Sequence, residues 1–221
     1  MGRCDVFSLW GQYAADFADG LKVTVELTGY GLVLAIALGV VLAAARLSRV
    51  RAIRAVATVY VETARATPAL VVLFLVYYGL GELGVLWSAF WSAVAGLGCF
   101  YAALFCEIFR GGLEGVERGQ HEAADALGLG RGQRLLRVIL PQAFLPILLP
   151  ATNTVADLIK DTSLVVVLGV AELTSHANNA SSITYRPMDM FLLAGLMYFG
   201  VYLLISRTLT YWEAHVQRHR H

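Results

Sequence analysis

Apolar residues run on for about the thickness of a bilayer in five places along this chain, and that fixes the folding medium before anything else does. A helix rises about 1.5 Å per residue and needs about 20 mostly apolar residues to cross a hydrocarbon core. The stretches from Leu21 to Ala45, Val56 to Leu80, Val85 to Phe109, Ile139 to Ile159 and Met188 to Ser206 meet that length. None alternates with the period of two that a membrane strand requires, so helices are the only credible spanning elements. Composition agrees: 58% of the 221 residues are hydrophobic and 15% charged, against about 25% charged in soluble domains. The sequence predicts an all-α membrane protein with about five transmembrane helices, a single transmembrane domain over residues 1–221.

The net charge of +1 says little, because position matters more than sum in a membrane chain. Arg46, Arg49, Arg51 and Arg54 follow the first run, and Arg110, Arg118, Arg131, Arg134 and Arg137 follow the third. Both connections are therefore expected in the cytoplasm. The second connection, G-L-G-E-L-G-V, has no base, and the fourth has only Lys160 and Arg186 near it, so both belong outside. That places the N-terminus outside and the C-terminus inside. The tail H-V-Q-R-H-R-H is then expected against lipid headgroups. Tyr77, Tyr78, Trp87 and Trp91 flank an external connection and read as an interfacial aromatic belt. The opening M-G-R-C-D-V-F-S-L-W-G-Q lacks the uninterrupted apolar stretch of a cleaved signal, so the first span is expected to direct insertion. Cys4, Cys99 and Cys106 are too scattered for a disulfide framework or a metal spacing, and Cys99 and Cys106 read as helix-packing residues.

Against this apolar background T-N-T-V-A-D-L-I-K-D-T-S-L, residues 152–164, is out of place. At about 100° per residue Asn153, Thr154, Asp157, Lys160 and Asp161 fall within an arc of roughly 120°. Each charge near the bilayer centre costs about 2.5–3.5 kcal/mol on insertion scales. An i, i+3 pair such as Asp157 with Lys160 contributes only about 0.2–0.5 kcal/mol in water. The face is thus expected to border a watery cavity or a partner helix, or, more plainly, to sit at the outer interface of a kinked packing helix. Pro141, Pro146 and Pro150 lack amide hydrogens, which frees helical carbonyls of the kind tolerated at depth where they line a cavity. Glu62 with Arg65, and Glu107 with Arg110, are i, i+3 pairs expected to pair at the interface.

The third connection, G-Q-H-E-A-A-D-A-L-G-L-G-R-G-Q-R-L-L-R-V-I-L-P-Q, is built as a structure. It predicts a short Ala-rich helix stopped by Gly128 and a second, basic helix stopped near Pro141. Glu122-Ala123-Ala124, Gly128 and Val138-Ile139-Leu140-Pro141 resemble the EAA signature of the permease subunits of bacterial ABC importers. V-E-T-A-R-A-T-P-A-L (61–70), E-I-F-R-G-G (107–112), L-P-Q-A-F (140–144) and L-I-K-D-T-S-L-V-V-V-L-G-V-A-E-L (158–173) are similar to the polar amino-acid branch of that family.

The resemblance implies a type I ABC importer permease fold. In it the cytoplasmic loop, about residues 117–138, docks a coupling helix into a separate ATPase through Gln120, Glu122, Ala123, Ala124, Leu127 and Gly128. It implies a substrate face carried by Asn153, Thr154, Asp157, Lys160 and Asp161, with Thr154 where the family's cationic-substrate members usually have Glu. It also implies a P-loop ATPase dimer, a second permease subunit, an extracytoplasmic solute-binding protein and a polar amino acid as partners, in a bacterial inner membrane and without nucleic acid. Catalytic residues, metal ligands and cofactors are expected to be absent from this chain, ATP and Mg being bound by the ATPase. No G-x-x-x-x-G-K-[ST] is present to cradle ATP. His121-Glu122 has Asp125 where a zinc protease needs its second His, and Gly128-x-Gly130 lacks the third glycine of a dinucleotide loop. An ion- or proton-coupled secondary transporter using Asp157, Lys160 and Asp161, or a membrane enzyme with Glu107 or Asp157 as base, stands as an alternative. Neither needs an ordered helix pair in the loop.

Overall fold

In a computed structural model residues 6–218 are described, with side-chain surroundings for 9–208, and the regular structure of the described residues is all helical. Cys4 and the last three residues of the H-V-Q-R-H-R-H tail lie outside the described residues, and the side chains of the rest of the tail are not described. The elements are α1 (Val6–Arg46), α2 (Arg51–Ala66), α3 (Ala69–Glu82), α4 (Ala89–Glu114), α5 (Arg118–Ala126), α6 (Arg131–Arg134), α7 (Leu140–Asp161), α8 (Leu173–Thr184) and α9 (Pro187–Arg218). A π-helical turn at Leu135–Ile139 joins α6 to α7, and a 3-10 segment at Thr162–Leu168 extends α7.

The centre is the pairing of α1 with α4, which small residues allow to come close. A Cβ on Gly39 would stand 2.8 Å from Phe105 Cβ, and one on Gly98 would stand 2.5 Å from Leu34 Cδ2. Without a hydrophobic drive between helices in lipid, such close backbone approach and its dispersion contacts hold the pair. Leu27, Ala35, Leu97, Tyr101 and Phe105 are buried there, joined by Leu73 of α3 and Leu158 of α7. A second cluster packs Phe17 of α1 against Leu173, Ala177 and Ala180 of α8 and Met190 and Ala194 of α9. This explains why α1 begins about fifteen residues before the span expected from Leu21: its first turns cover α8, and Gly20 lies against His176. Many large apolar residues stay exposed, Val33, Val56, Leu75 and Leu204 among them, as a lipid-facing surface requires.

Two expectations are corrected. The run from Val56 to Leu80 is not one helix: α2 and α3 meet at a bend of 114°. Pro68 forces this, since its ring excludes the preceding residue from helical geometry, and Thr67 accordingly sits at φ −100°, ψ 137°. Among the described residues four helices are long and apolar enough to cross a membrane alone, and α2 with α3 makes a fifth only as a broken span. The second loop helix does not stop near Pro141. Pro141 cannot donate to the carbonyl four residues back, and the chain widens instead, Leu140 N–H donating to Leu135 O in the π turn before α7 continues.

Candidate functional site

Two regions carry the sequence-predicted residues: the exposed face at the end of α7 and the loop built from α5 and α6. On α7, Asn153, Asp157 and Lys160 are exposed on one side of the helix, and Lys160 Nζ lies 2.7 Å from Asp157 Oδ1. The two charges therefore neutralise one another while remaining open. Asp161 is half-buried at the same end and accepts a hydrogen bond from Tyr101 Oη of α4 at 2.8 Å. Thr154 departs from the face: it is buried, and its hydroxyl donates to Pro150 O at 3.0 Å. The arc that held five residues on a projection holds three open ones, a fourth leaning into the bundle and a fifth inside it.

The turn that follows fixes this face. Thr162 and Ser163 hydroxyls donate to Ile159 O and Lys160 O, each at 2.6 Å, tightening the 3-10 segment under Lys160. Gly169 ends it at φ +80°, a left-handed conformation that favours glycine. Glu172, fully buried, then caps α8, accepting from the amides of Thr174 and Ser175 at 2.9 Å each and from Tyr198 Oη at 2.7 Å. Burial pushes the Glu172 carboxyl above its ordinary range, and those three hydrogen bonds oppose the shift.

Neither Tyr101 nor Tyr198 stood out in the sequence, because a tyrosine in an apolar helix gives no sign of where its hydroxyl ends. Arg46 was equally hidden as a tether. It contacts Glu107 of α4, and its Nη1 is 3.6 Å from Glu62 of α2. The two expected i, i+3 pairs form as well, Glu107 with Arg110 at 2.7 Å and Glu62 with Arg65 at 3.8 Å. Arg46 thus joins both into one cluster across α1, α2 and α4.

In the loop, α5 ends on Leu127 and Gly128, the latter at φ +71°. Leu127, Gly128 and Leu129 amides donate back to Ala123, Asp125 and Ala124 carbonyls at 3.0–3.1 Å, closing the helix with a left-handed cap. Ala124 faces inward and is buried, whereas Gln120, Glu122, Ala123, Leu127 and Gly128 are exposed. Asp125 holds Arg134 through both carboxylate oxygens at 2.5 and 2.7 Å, and Gln142 Nε2 donates to Gln120 Oε1 at 3.0 Å. The helix is braced from beneath and open above: Leu127 is 78% exposed.

A family model described as the binding-protein-dependent transport system inner membrane component matches residues 35–218. This chain belongs to that family. It is a membrane-embedded permease, a transport subunit rather than an enzyme. Its relatives include a probable amino-acid ABC transporter permease of Vibrio harveyi, PatM, 36% identical with 90% of each chain covered. The arginine transport system permease ArtQ of Bacillus subtilis is 33% identical, with 85% of this chain and 86% of ArtQ covered. A crystal structure of an amino acid ABC transporter with histidines superposes with a TM-score of 0.89 at 33% identity, over 97% of this chain and all of that one. The permease also shares its fold with an inward-facing methionine ABC transporter, at TM-score 0.75 and 19% identity over 93% of this chain and 98% of that one.

Proposed function

We propose that this permease carries polar amino acids or related zwitterions across the bacterial inner membrane, driven by a separate ATPase. The observation that carries the reading is the exposed Asp157–Lys160 pair beside Asn153, a neutral couple of one carboxylate and one ammonium 2.7 Å apart. A zwitterion presents the complementary couple, so exchanging the internal pair for two pairs with substrate conserves charge at the site. That exchange needs little net desolvation. Lys160 meets the substrate carboxylate, and Asp157, with Asp161 behind it, meets an ammonium or a basic side chain.

Membership of the family supports the remaining parts of the reading. Two permease subunits, identical or paralogous, form the pathway. A solute-binding protein delivers cargo on the outer side, and an ATPase dimer, holding ATP and Mg, receives the α5 helices. With α5 in the cytoplasm, the N-terminus lies outside and the C-terminus inside. ATPase closure displaces α5, and the brace of Asp125 on Arg134 and Gln142 on Gln120 passes that displacement to the start of α7, the helix whose other end carries the polar face. Names among the relatives, arginine and glutamine permeases included, support an amino-acid cargo.

The test is ATP hydrolysis by the reconstituted permease, ATPase and binding protein against a panel of polar amino acids. Stimulation by one ligand, with at least a tenfold loss of apparent affinity in Asp157→Asn, is the expected result. Stimulation and ligand preference unchanged in that variant would remove Asp157 from the site, and flux without the ATPase would overturn the coupling.

A further inference from the structure

The bend at Thr67 turns α2 across the bundle rather than through it. Its last turns lie level with the cytoplasmic ends of α1 and α4, where Glu62 and Arg65 meet Arg46 and Glu107. At about 100° per residue Arg51, Arg54, Thr58, Glu62 and Arg65 share one side of α2, and Ile53, Val56, Val59 and Tyr60 the other. Ile53, Val56 and Val59 are 48%, 73% and 66% exposed. This is the pattern of a helix lying in a membrane interface, with a basic face and an apolar one.

An open groove of about 510 Å³ runs between α2 and α1, lined by Leu42, Ala45, Ile53, Val56, Ala57 and Tyr60. At its end the chain places Arg49, Arg51 and Arg54, all exposed. Arg46, Arg65, Arg110 and Arg134 each have a carboxylate partner, but among the described residues Arg49, Arg51 and Arg54 form no ion pair. Arg51 and Arg54 also stand in the first turn of α2, where cations oppose the helix dipole, and Val50 supplies no side-chain cap to the free amides. Three exposed guanidinium groups without an ion pair thus stand on the first turn of α2 and the turn before it, next in sequence to the residues that line the apolar groove.

We propose that this corner binds an anionic phospholipid of the leaflet on the α5 side. Its phosphate rests among Arg49, Arg51, Arg54 and the α2 amides, and one acyl chain occupies the α1–α2 groove. Free phosphate would satisfy the arginines and leave the groove and the exposed valines unexplained. A lipid satisfies both. Through Arg46 and Glu62, the bound lipid fixes α2 against α1 and α4.

The experiment uses the purified permease–ATPase complex. Native mass spectrometry compares retention of phosphatidylglycerol and phosphatidylcholine of equal chain length, and ATP hydrolysis is measured in nanodiscs of rising phosphatidylglycerol content. Native protein should prefer phosphatidylglycerol by about fivefold or more, the factor one arginine contributes near an anionic surface, and its hydrolysis should rise with that lipid. Arg49→Gln/Arg51→Gln/Arg54→Gln should bring the ratio to about one and flatten the response, while the corresponding Lys variant keeps most of both. Because basic loops also direct insertion, only protein that co-purifies with the ATPase is compared. Val56→Asn/Val59→Asn, with every arginine in place, should weaken retention of both lipids together. Equal preference in native and Gln proteins would overturn the site. So would a preference that disappears when the ATPase is stripped away, which would assign the arginines to a protein partner.

Discussion

The Tyr101 hydroxyl donates to the Asp161 carboxylate across 2.8 Å, tying the middle of α4 to the end of the polar face on α7. Tyr101 itself is 1% exposed, so its ring is locked by the core and only the hydroxyl reaches the face. Tyr101→Phe keeps the ring and removes the donor. Leaving a half-buried carboxylate without that partner costs about 1–3 kcal/mol. The expected outcome is a fall of several degrees in the thermal unfolding midpoint of the detergent-purified permease, together with weaker substrate stimulation. An unchanged midpoint would show that Asp161 finds another donor.

Glu172 gives the permease a pH dependence with a definite sign. Burial holds its folded carboxyl above the ordinary value of 4.5, so between the unfolded and folded values the native state binds more protons than the unfolded chain. Stability is full below that window and falls as pH rises through it. Thermal unfolding of the native permease should lose ground on raising the pH from about 4, and Glu172→Gln should flatten that part of the profile. A native slope of opposite sign would mean that the hydrogen bonds from Thr174, Ser175 and Tyr198 outweigh burial.

Most of the helices and the loop were legible in the sequence because both rest on local signals, an apolar run or a glycine at a required turn. Gly128 was read as a stop and stands at φ +71°. The break at Thr67 was equally local, since Pro68 restricts its neighbour, yet the apolar composition of residues 56–80 hid it. What the sequence did not reveal was pairing between distant helices. A helical projection put Thr154 on the polar face, but a threonine can return its hydroxyl to its own helix, and Thr154 does so at Pro150. The partners of Asp161 and of Glu62 with Glu107 are Tyr101 and Arg46, 60 and 61 positions from the acids Asp161 and Glu107. No periodicity records a contact of that kind.

The Arg46 cluster makes a prediction about α2. Arg46 is 14% exposed and Glu107 21%, and Arg110 holds Glu107 from the other side. Arg46→Met keeps much of the volume and removes a cation that reaches both α2 and α4. Because Arg110 remains, the loss should be about 1.5–3 kcal/mol, the range for a hydrogen bond to a charged group, rather than that of a charge left bare. Hydrogen exchange should report it locally, with faster exchange in the amides of α2 and little change in α8.

Gly128 separates coupling from folding. A Cβ there meets no atom within 4 Å, so Gly128→Ala creates no clash, but its φ of +71° costs a non-glycine residue about 1–2 kcal/mol. Only the cap of α5 bears that strain. The three amides of Leu127, Gly128 and Leu129 that close the helix lose their geometry, and the exposed Leu127 side chain is no longer held in one direction. The permease should still insert and unfold near its native temperature, since α5 adds only Ala124 to the buried interior. Substrate-stimulated ATP hydrolysis in the reconstituted complex should fall by about tenfold, with basal hydrolysis by the isolated ATPase untouched. Gly128→Asn, which tolerates the left-handed region better, should recover much of the loss. Equal deficits for Ala and Asn would place the effect in contact with the partner chain rather than in the shape of the cap.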